Sequence, residues 1–335
     1  MPEDPAAPRR FPHLNCTESF YRSDHPSLFW ELTVCQSLAL TGTPYQAALE
    51  RPAPYGVLIA RYLARMTRRR EWGTVVEVGG GYGSLMSAFL EEADARRVVM
   101  VDVSPRFLHE QRKALQGVQT AVFEECDATA YFRALPEPVD LVIANEVLGD
   151  FPTVTGLRSD AVRAALEGGA ADPLTRKVAE KVGRYRLDLS GAPDPFAFNL
   201  GAVEFLEALA GRARVVFLTE HSADPVLPER YAFLPLPDGS GFPRRIPLKD
   251  HDEYTVKFGH LEAVARHLGF RVHRFHLAEV VGLRADGGIR SMVQAGVALS
   301  DATEAVIEFC AHIPEYEGVV LVAPGGGQVL GPAVR

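Results

Sequence analysis

The stretch Glu77-Val78-Gly79-Gly80-Gly81-Tyr82-Gly83-Ser84-Leu85 packs four glycines into five residues, after the apolar run Thr74-Val75-Val76 and before Met86-Ser87-Ala88-Phe89-Leu90. A β-branched run, a glycine turn and an amphipathic run read as strand, loop and helix. Gly79, Gly81 and Gly83 alternate, which lets the chain turn sharply and brings backbone N–H groups against a ligand with no Cβ in the way. Glu77 stands two residues before the first of them. A carboxylate there suits a ligand carrying positive charge near the loop and repels a pyrophosphate.

The rhythm continues on the C-terminal side. Continuous β-branched runs over 97–103, 120–127 and 140–148 read as strands buried on both faces, with helical patterns over 83–93 and 105–115. Strand-helix-strand units of this kind close in a right-handed sense into a parallel sheet. After Asp150 the pattern breaks: 159–189 reads as two charged helices around Gly168-Gly169-Ala170, inside an insertion spanning 153–198. A helix over 200–210 and a strand over 214–220 resume the sheet. A Pro-rich excursion over 221–258 follows, then a helix over 261–269, a strand over 271–280, a helix near 302–310 and a last strand over 318–323.

On the N-terminal side, 1–14 reads as a disordered or loosely docked arm, and 28–40 and 55–66 read as amphipathic helices. Residues 1–70 are therefore a candidate lid or substrate platform ahead of a core over 71–335, whose tail from 324 carries no pattern. The cluster Tyr21, Arg22, Asp24 and His25 in that segment is a candidate lid contact. The helical insertion is a candidate homodimer contact.

Composition narrows the classes. With 335 residues, 47% hydrophobic content and a net charge of −8, the chain suits one large α/β unit and argues against a nucleic-acid-binding surface, which needs clustered Lys and Arg. Cys16, Cys35, Cys126 and Cys310 show no metal-ligand spacing, and His251, His260, His267, His273 and His276 are scattered, so no metal is assigned. No run approaches the ~20 apolar residues of a membrane span. The N-terminus has no apolar signal region. The expected setting is cytoplasmic.

Three acids fall at strand ends, where open parallel sheets bind ligands. Glu77 faces the glycine loop, Asp102 ends the second strand where an acid accepts both hydroxyls of a ribose, and Asp127 ends the third, where it could accept from an adenine amine. An adenosine with a zwitterionic tail and no phosphate is S-adenosylmethionine (SAM).

Taken together, EVGGGYG, VDVS and ECDA resemble the class I SAM-dependent methyltransferases. That resemblance implies a Rossmann-like, mostly parallel α/β sheet with an antiparallel final strand. A narrower resemblance rests on Gly83-Ser84-Leu85-Met86, on Ala144-Asn145-Glu146 through Asp150-Phe151-Pro152, and on Asp252-Glu253-Tyr254-Thr255-Val256-Lys257-Phe258. These resemble the MidA-type family, which includes the mitochondrial protein arginine methyltransferase that assists respiratory complex I assembly. The turn after Asn145-Glu146 is one residue longer than the family's before its Asp. The family's Asp-Tyr-Gly after the fifth strand is Thr219-Glu220-His221 here.

Methyl transfer from a sulfonium needs mainly a positioned nucleophile in the right protonation state. Asn145 and Glu146, just past the fourth strand, could bind the cofactor and hold a guanidinium bidentately, or accept a proton. Glu220 and His221, ending the fifth, could form an acid-assisted base. Three readings follow: a methyltransferase with a protein arginine acceptor, as the resemblance implies; a small-molecule O- or N-methyltransferase using Glu220 and His221; or an assembly factor that binds SAM without turnover.

Overall fold

The structure is a computed structural model that describes residues 11–23, 26, 28, 33–236 and 239–325. The chain opens with β1 (His13–Asn15), α1 (Glu18–Tyr21), α2 (Val34–Ser37) and α3 (Tyr55–Thr67). The alternating stretch forms β2 (Glu71–Val78), α4 (Ser84–Phe89), β3 (Asp94–Asp102), α5 (Pro105–Ala114), β4 (Ala121–Glu125), α6 (Ala128–Ala134) and β5 (Val139–Asn145). Then come β6 (Thr153–Leu157), α7 (Ser159–Leu166), α8 (Pro173–Tyr185), β7 (Phe196–Phe198), α9 (Leu200–Leu209) and β8 (Ala213–His221). The last part carries β9 (Arg245–Pro247), β10 (Asp252–Tyr254), α10 (Phe258–His267), β11 (Arg271–His276), α11 (Leu277–Val281), α12 (Gly287–Ala295), α13 (Asp301–His312) and β12 (Tyr316–Val322).

Seven strands build one sheet in the order β11-β12-β8-β5-β2-β3-β4. All run parallel except β12, which inserts between β8 and β11 and pairs antiparallel with both. This is the Rossmann-like methyltransferase sheet, with its final strand reversed as expected. The β-branched runs are continuous because both faces are covered. Val75, Val98, Leu141 and Val215 lie in one core with α3, α4 and α13, while Val76, Val99, Val142 and Val216 lie in the other with α6, α8, α9 and α10. From β2 the chain moves outward through β3 to β4 and then returns to the other side for β5 and β8. The reversal opens a crevice at the carboxyl end of β2, and the glycine loop lies there.

The structure corrects the sequence reading in three places. His13–Asn15 is a strand, not a loose arm: it pairs antiparallel with β6, His13 opposite Thr155, and β7 takes the other side of β6. The insertion thus contributes a small sheet as well as its two helices, because the open edges of β6 recruit segments distant in sequence. The strand from Arg271 ends at His276, whose Nδ1 accepts the Ala278 amide at 3.2 Å and starts α11. The apolar run Leu277-Ala278 and Val280-Val281 serves a helix as well as a strand, and the histidine cap decides. Of the helix expected over 28–40, the described part is helical only over Val34–Ser37; residues 27 and 29–32 lie outside the described residues, as do Asp24, His25, 1–10 and 326–335. No described helix is long and apolar enough to cross a membrane.

Candidate active site

The glycine loop is tied to the sheet by the Gly79 amide, which donates to the Val101 carbonyl at 2.9 Å. Gly79, Gly81 and Gly83 have φ of +63°, +49° and +80°, a region that side chains disfavour. A Cβ on Gly79 would stand 2.5 Å from Val147 Cγ2, and one on Gly83 3.1 Å from Gln111 Cα. The loop can therefore lie this close to its neighbours only as glycine.

Glu77 is 2% exposed, and its Oε2 has no hydrogen-bond partner among the described residues. Burial pushes its carboxyl up to about 8, with the Asp102 charge adding to the effect. An unmatched acceptor at this depth calls for a cationic ligand. Asp102 accepts from the Ser104 amide at 2.9 Å and from Gln111 Nε2 at 2.9 Å. Burial raises it to about 6 against the pull of those hydrogen bonds. Gln111 Nε2 also donates to the Gly81 carbonyl at 3.1 Å, so one side chain braces both the acid and the loop. The sequence reading missed Gln111. The signal was a glutamine on the stripe Phe107, Leu108, Leu115, where an apolar residue is expected. Asp127 is exposed and caps α6, accepting the Ala130 amide at 2.7 Å, while it also lines the cavity beside Asp102.

Across the crevice, Asn145 ends β5 and Glu146 follows with φ +50°, an uncommon conformation for a side-chain-bearing residue. Such outliers concentrate at functional sites because the surroundings hold them in place. Here Asn145 Oδ1 accepts from the Tyr55 hydroxyl at 2.7 Å and the Thr219 hydroxyl at 2.6 Å, which turns its Nδ2 toward Glu146 Oε1 at 3.3 Å. The Cys35 amide donates to the same oxygen at 3.1 Å. Glu146 is therefore aimed by α2 and β5 directly, with α3 and β8 fixing Asn145.

Glu220 is committed differently. Its Oε2 accepts the Gly149 amide and its Oε1 the His221 amide, both at 2.9 Å. The Gly149 hydrogen bond ties it to the turn that follows Glu146. His221 Nδ1 lies 3.5 Å from Glu220 Oε1, and its ring tilts on Tyr316 with centroids 4.1 Å apart.

Two cavities meet at this crevice. The first runs along Gly79, Val101, Asp102, Phe107 and Asp127; the second along Glu77, Asn145, Glu220, His221, His251 and Glu253. Tyr21, Leu28, Gly79, Gly81, Glu146 and Asp150 line both. Every described site residue expected from the sequence touches one cavity or the other except Gly83, which sets the loop. Arg22 points away, toward Glu18 and Glu125. The second cavity carries five carboxylates, from Glu77, Glu146, Asp150, Glu220 and Glu253, and no Lys or Arg among its described lining.

A family model described as a methyltransferase domain matches residues 76–171. That span holds Glu77, the glycine loop, Asp102, Asp127, Glu146 and Asp150. The trans-aconitate 2-methyltransferase of Azoarcus sp. strain BH72 is 28% identical over 199 residues, covering 57% of this chain and 76% of its own. That of Methylobacterium nodulans is 31% identical over 176 residues, covering 52% of this chain and 62% of its own. The crystal structure of an uncharacterised protein from Burkholderia thailandensis aligns over 82% of this chain and 81% of its own, with a TM-score of 0.48 and 18% identity. With the matched span supplying the strand, loop and acidic turn that frame both cavities, the protein is a SAM-dependent methyltransferase built on a class I domain, and S-adenosylmethionine is its cofactor.

Proposed function

We propose that the chain methylates a nitrogen of a cationic acceptor, an amine or a guanidinium. The observation that carries this reading is the second cavity's lining: five carboxylates and no described Lys or Arg. Such a wall favours positive charge and disfavours anions by the same Coulomb term. In this reading Glu77 takes the ammonium of SAM, Asp102 its ribose hydroxyls and Asp127 its adenine amine, within the cradle of Gly79, Gly81 and Gly83. Bound there, the cofactor supplies an electrophilic methyl on sulfur. Glu146 holds the acceptor nitrogen, with Asn145 aiming it. With SAM as methyl donor and its sulfur as leaving group, Glu146 would first take a proton from the cationic nitrogen, which frees the lone pair for the new N–C bond.

A protein arginine side chain is one such acceptor, as the MidA-type resemblance implies, and a small amine is another. The relatives' names favour a small molecule, and their acceptor is a carboxylate. That supports a second reading, a small-molecule O-methyltransferase, in which His221, held by Glu220, would donate a hydrogen bond to a carboxylate acceptor and would act as base only toward a hydroxyl. Transfer of labelled methyl to a panel of amines, guanidines and arginine peptides, set beside trans-aconitate and related acids, separates the two. Turnover confined to the acids overturns the nitrogen reading. SAM binding with no turnover on any acceptor supports the assembly-factor reading instead.

The loop assignment has its own check. Gly81→Val places a β-branched side chain at φ +49° and 2.9 Å from Leu28 Cδ1, at the junction of both cavities. A folded variant with SAM affinity reduced by at least about a hundredfold is the expected result. Unchanged affinity by calorimetry would remove the loop from the cofactor site.

A further inference from the structure

His251 has a setting that methyl transfer as described above does not use. Its ring stacks on Phe20 with centroids 4.1 Å apart and planes 20° from parallel, which fixes the direction of Nε2. Three oxygens face that one nitrogen: Glu253 Oε1 at 3.1 Å, the Tyr21 hydroxyl at 3.5 Å and Asp150 Oδ1 at 3.8 Å. A neutral imidazole has at most one proton to offer there, and Tyr21 spends its own on Asp150 Oδ2 at 2.9 Å. Asp150 Oδ1 is buried and has no hydrogen-bond partner among the described residues.

The donor set is mixed rather than merely acidic: an imidazole nitrogen, two carboxylates and a phenol. Ligands held about 2.1 Å from a first-row divalent ion at angles between 90° and 109° lie about 3.0–3.4 Å from one another. One donor from each of Asp150, His251 and Glu253 already lies within 4.8 Å of the others, and the His251 to Glu253 separation of 3.1 Å falls in that range. The 3.8 Å between His251 and Asp150 needs to close by only a few tenths of an ångström.

We propose that Asp150, His251 and Glu253 hold a divalent first-row cation, with Tyr21 as a further oxygen ligand, in the wall of the acceptor cavity. His251 and Glu253 are two residues apart at the start of β10, so the strand's alternation turns both to one side. Asp150 comes from the turn after β5 and Tyr21 from α1. The ion joins three segments that are far apart in sequence and closes the cavity wall between them. Its charge also answers the repulsion between the neighbouring carboxylates of Glu253 and Asp150. The ion offsets Asp150 and Glu253 alone, so Glu146, with Glu77 and Glu220, keeps the rest of the cavity wall acidic for the acceptor.

The site is tested without any methyl acceptor, so its outcome is independent of the nitrogen reading. The full chain, stripped with chelator and dialysed, is titrated with Mn2+ and followed by electron paramagnetic resonance. One ion per chain is expected, with a nitrogen coupling in the spin-echo spectrum from a single histidine. His251→Gln is expected to remove that coupling, and Glu253→Gln to weaken Mn2+ at least tenfold, with both variants still binding SAM. No saturable binding below 1 mM overturns the site, as does bound Mn2+ without a nitrogen coupling. The spectroscopic signature comes from the unmutated protein, so it decides the matter even if a variant fails to fold.

Discussion

Glu146→Gln is expected to lower kcat by about 10²- to 10⁴-fold while leaving SAM affinity within about twofold, because it removes a charge and a proton acceptor but little volume. The substitution is nearly isosteric. An amide oxygen can still accept from the Cys35 amide, which donates to Glu146 Oε1 at 3.1 Å, so the αL turn at φ +50° keeps its anchor. What the glutamine cannot do is hold a cation by charge or take its proton. The wild-type residue is aimed by Asn145, itself fixed by Tyr55 and Thr219 at 2.7 and 2.6 Å, which is more organisation than a turn requires. Steady-state kinetics against the acceptor found in the panel checks this. A variant at wild-type rate would shift the chemistry to His221 and favour the second reading.

If Glu77 takes the ammonium of SAM, as proposed, cofactor binding is expected to be coupled to protons. In the ligand-free protein burial raises its carboxyl to about 8, so at pH 7 the group is largely protonated. An ammonium beside it favours the carboxylate and pulls the value down, so binding expels the proton. From a value of about 8, binding should release roughly 0.9 proton per SAM at pH 7, and affinity should rise about ninefold between pH 6 and 7. The sign follows from the direction of the shift: a raised acid that must ionise to bind its ligand gains affinity as pH climbs toward its ligand-free value. Asp102, raised to about 6, steepens the dependence at the acid end only. Calorimetry in buffers of different ionisation enthalpy reads the proton number directly. Glu77→Gln should bring it close to zero and weaken SAM at least about tenfold. A proton number near zero in the wild type would mean that Glu77 does not meet the ammonium.

Much of the sheet and the placing of its strand-end residues could be read from the chain alone. The strands ending at Val78, Asp102 and Asn145 are legible because burial on both faces demands continuous β-branched runs, and Glu77, the alternate glycines, Asp102 and Asp127 are legible because they stand at the ends of those runs. A local pattern sufficed there, since a strand end and the loop after it are neighbours in sequence and in space. The same logic misplaced His13–Asn15 and the end of β11, where a pairing with β6 and a histidine cap outweighed local composition.

The acceptor half was decided by tertiary structure. Asn145, Glu146, Glu220 and His221 could be named from the sequence, but Glu220's commitment to the Gly149 and His221 amides could not be foreseen. Nor could Tyr55 on Asn145, 90 residues away, or Tyr21 on Asp150, 129 residues away. His251 was set aside as scattered, and together with Glu253, its neighbour two residues on, it was brought to Asp150 only by the hairpin of β9 and β10. The sequence by itself determined the sheet, its glycine loop and the acids at its strand ends, because periodicity and strand-end position are local properties. Which side chains converge on the acceptor was left to the packing of distant segments, whose meeting is set by the summed burial of two cores and leaves no periodic trace in the chain.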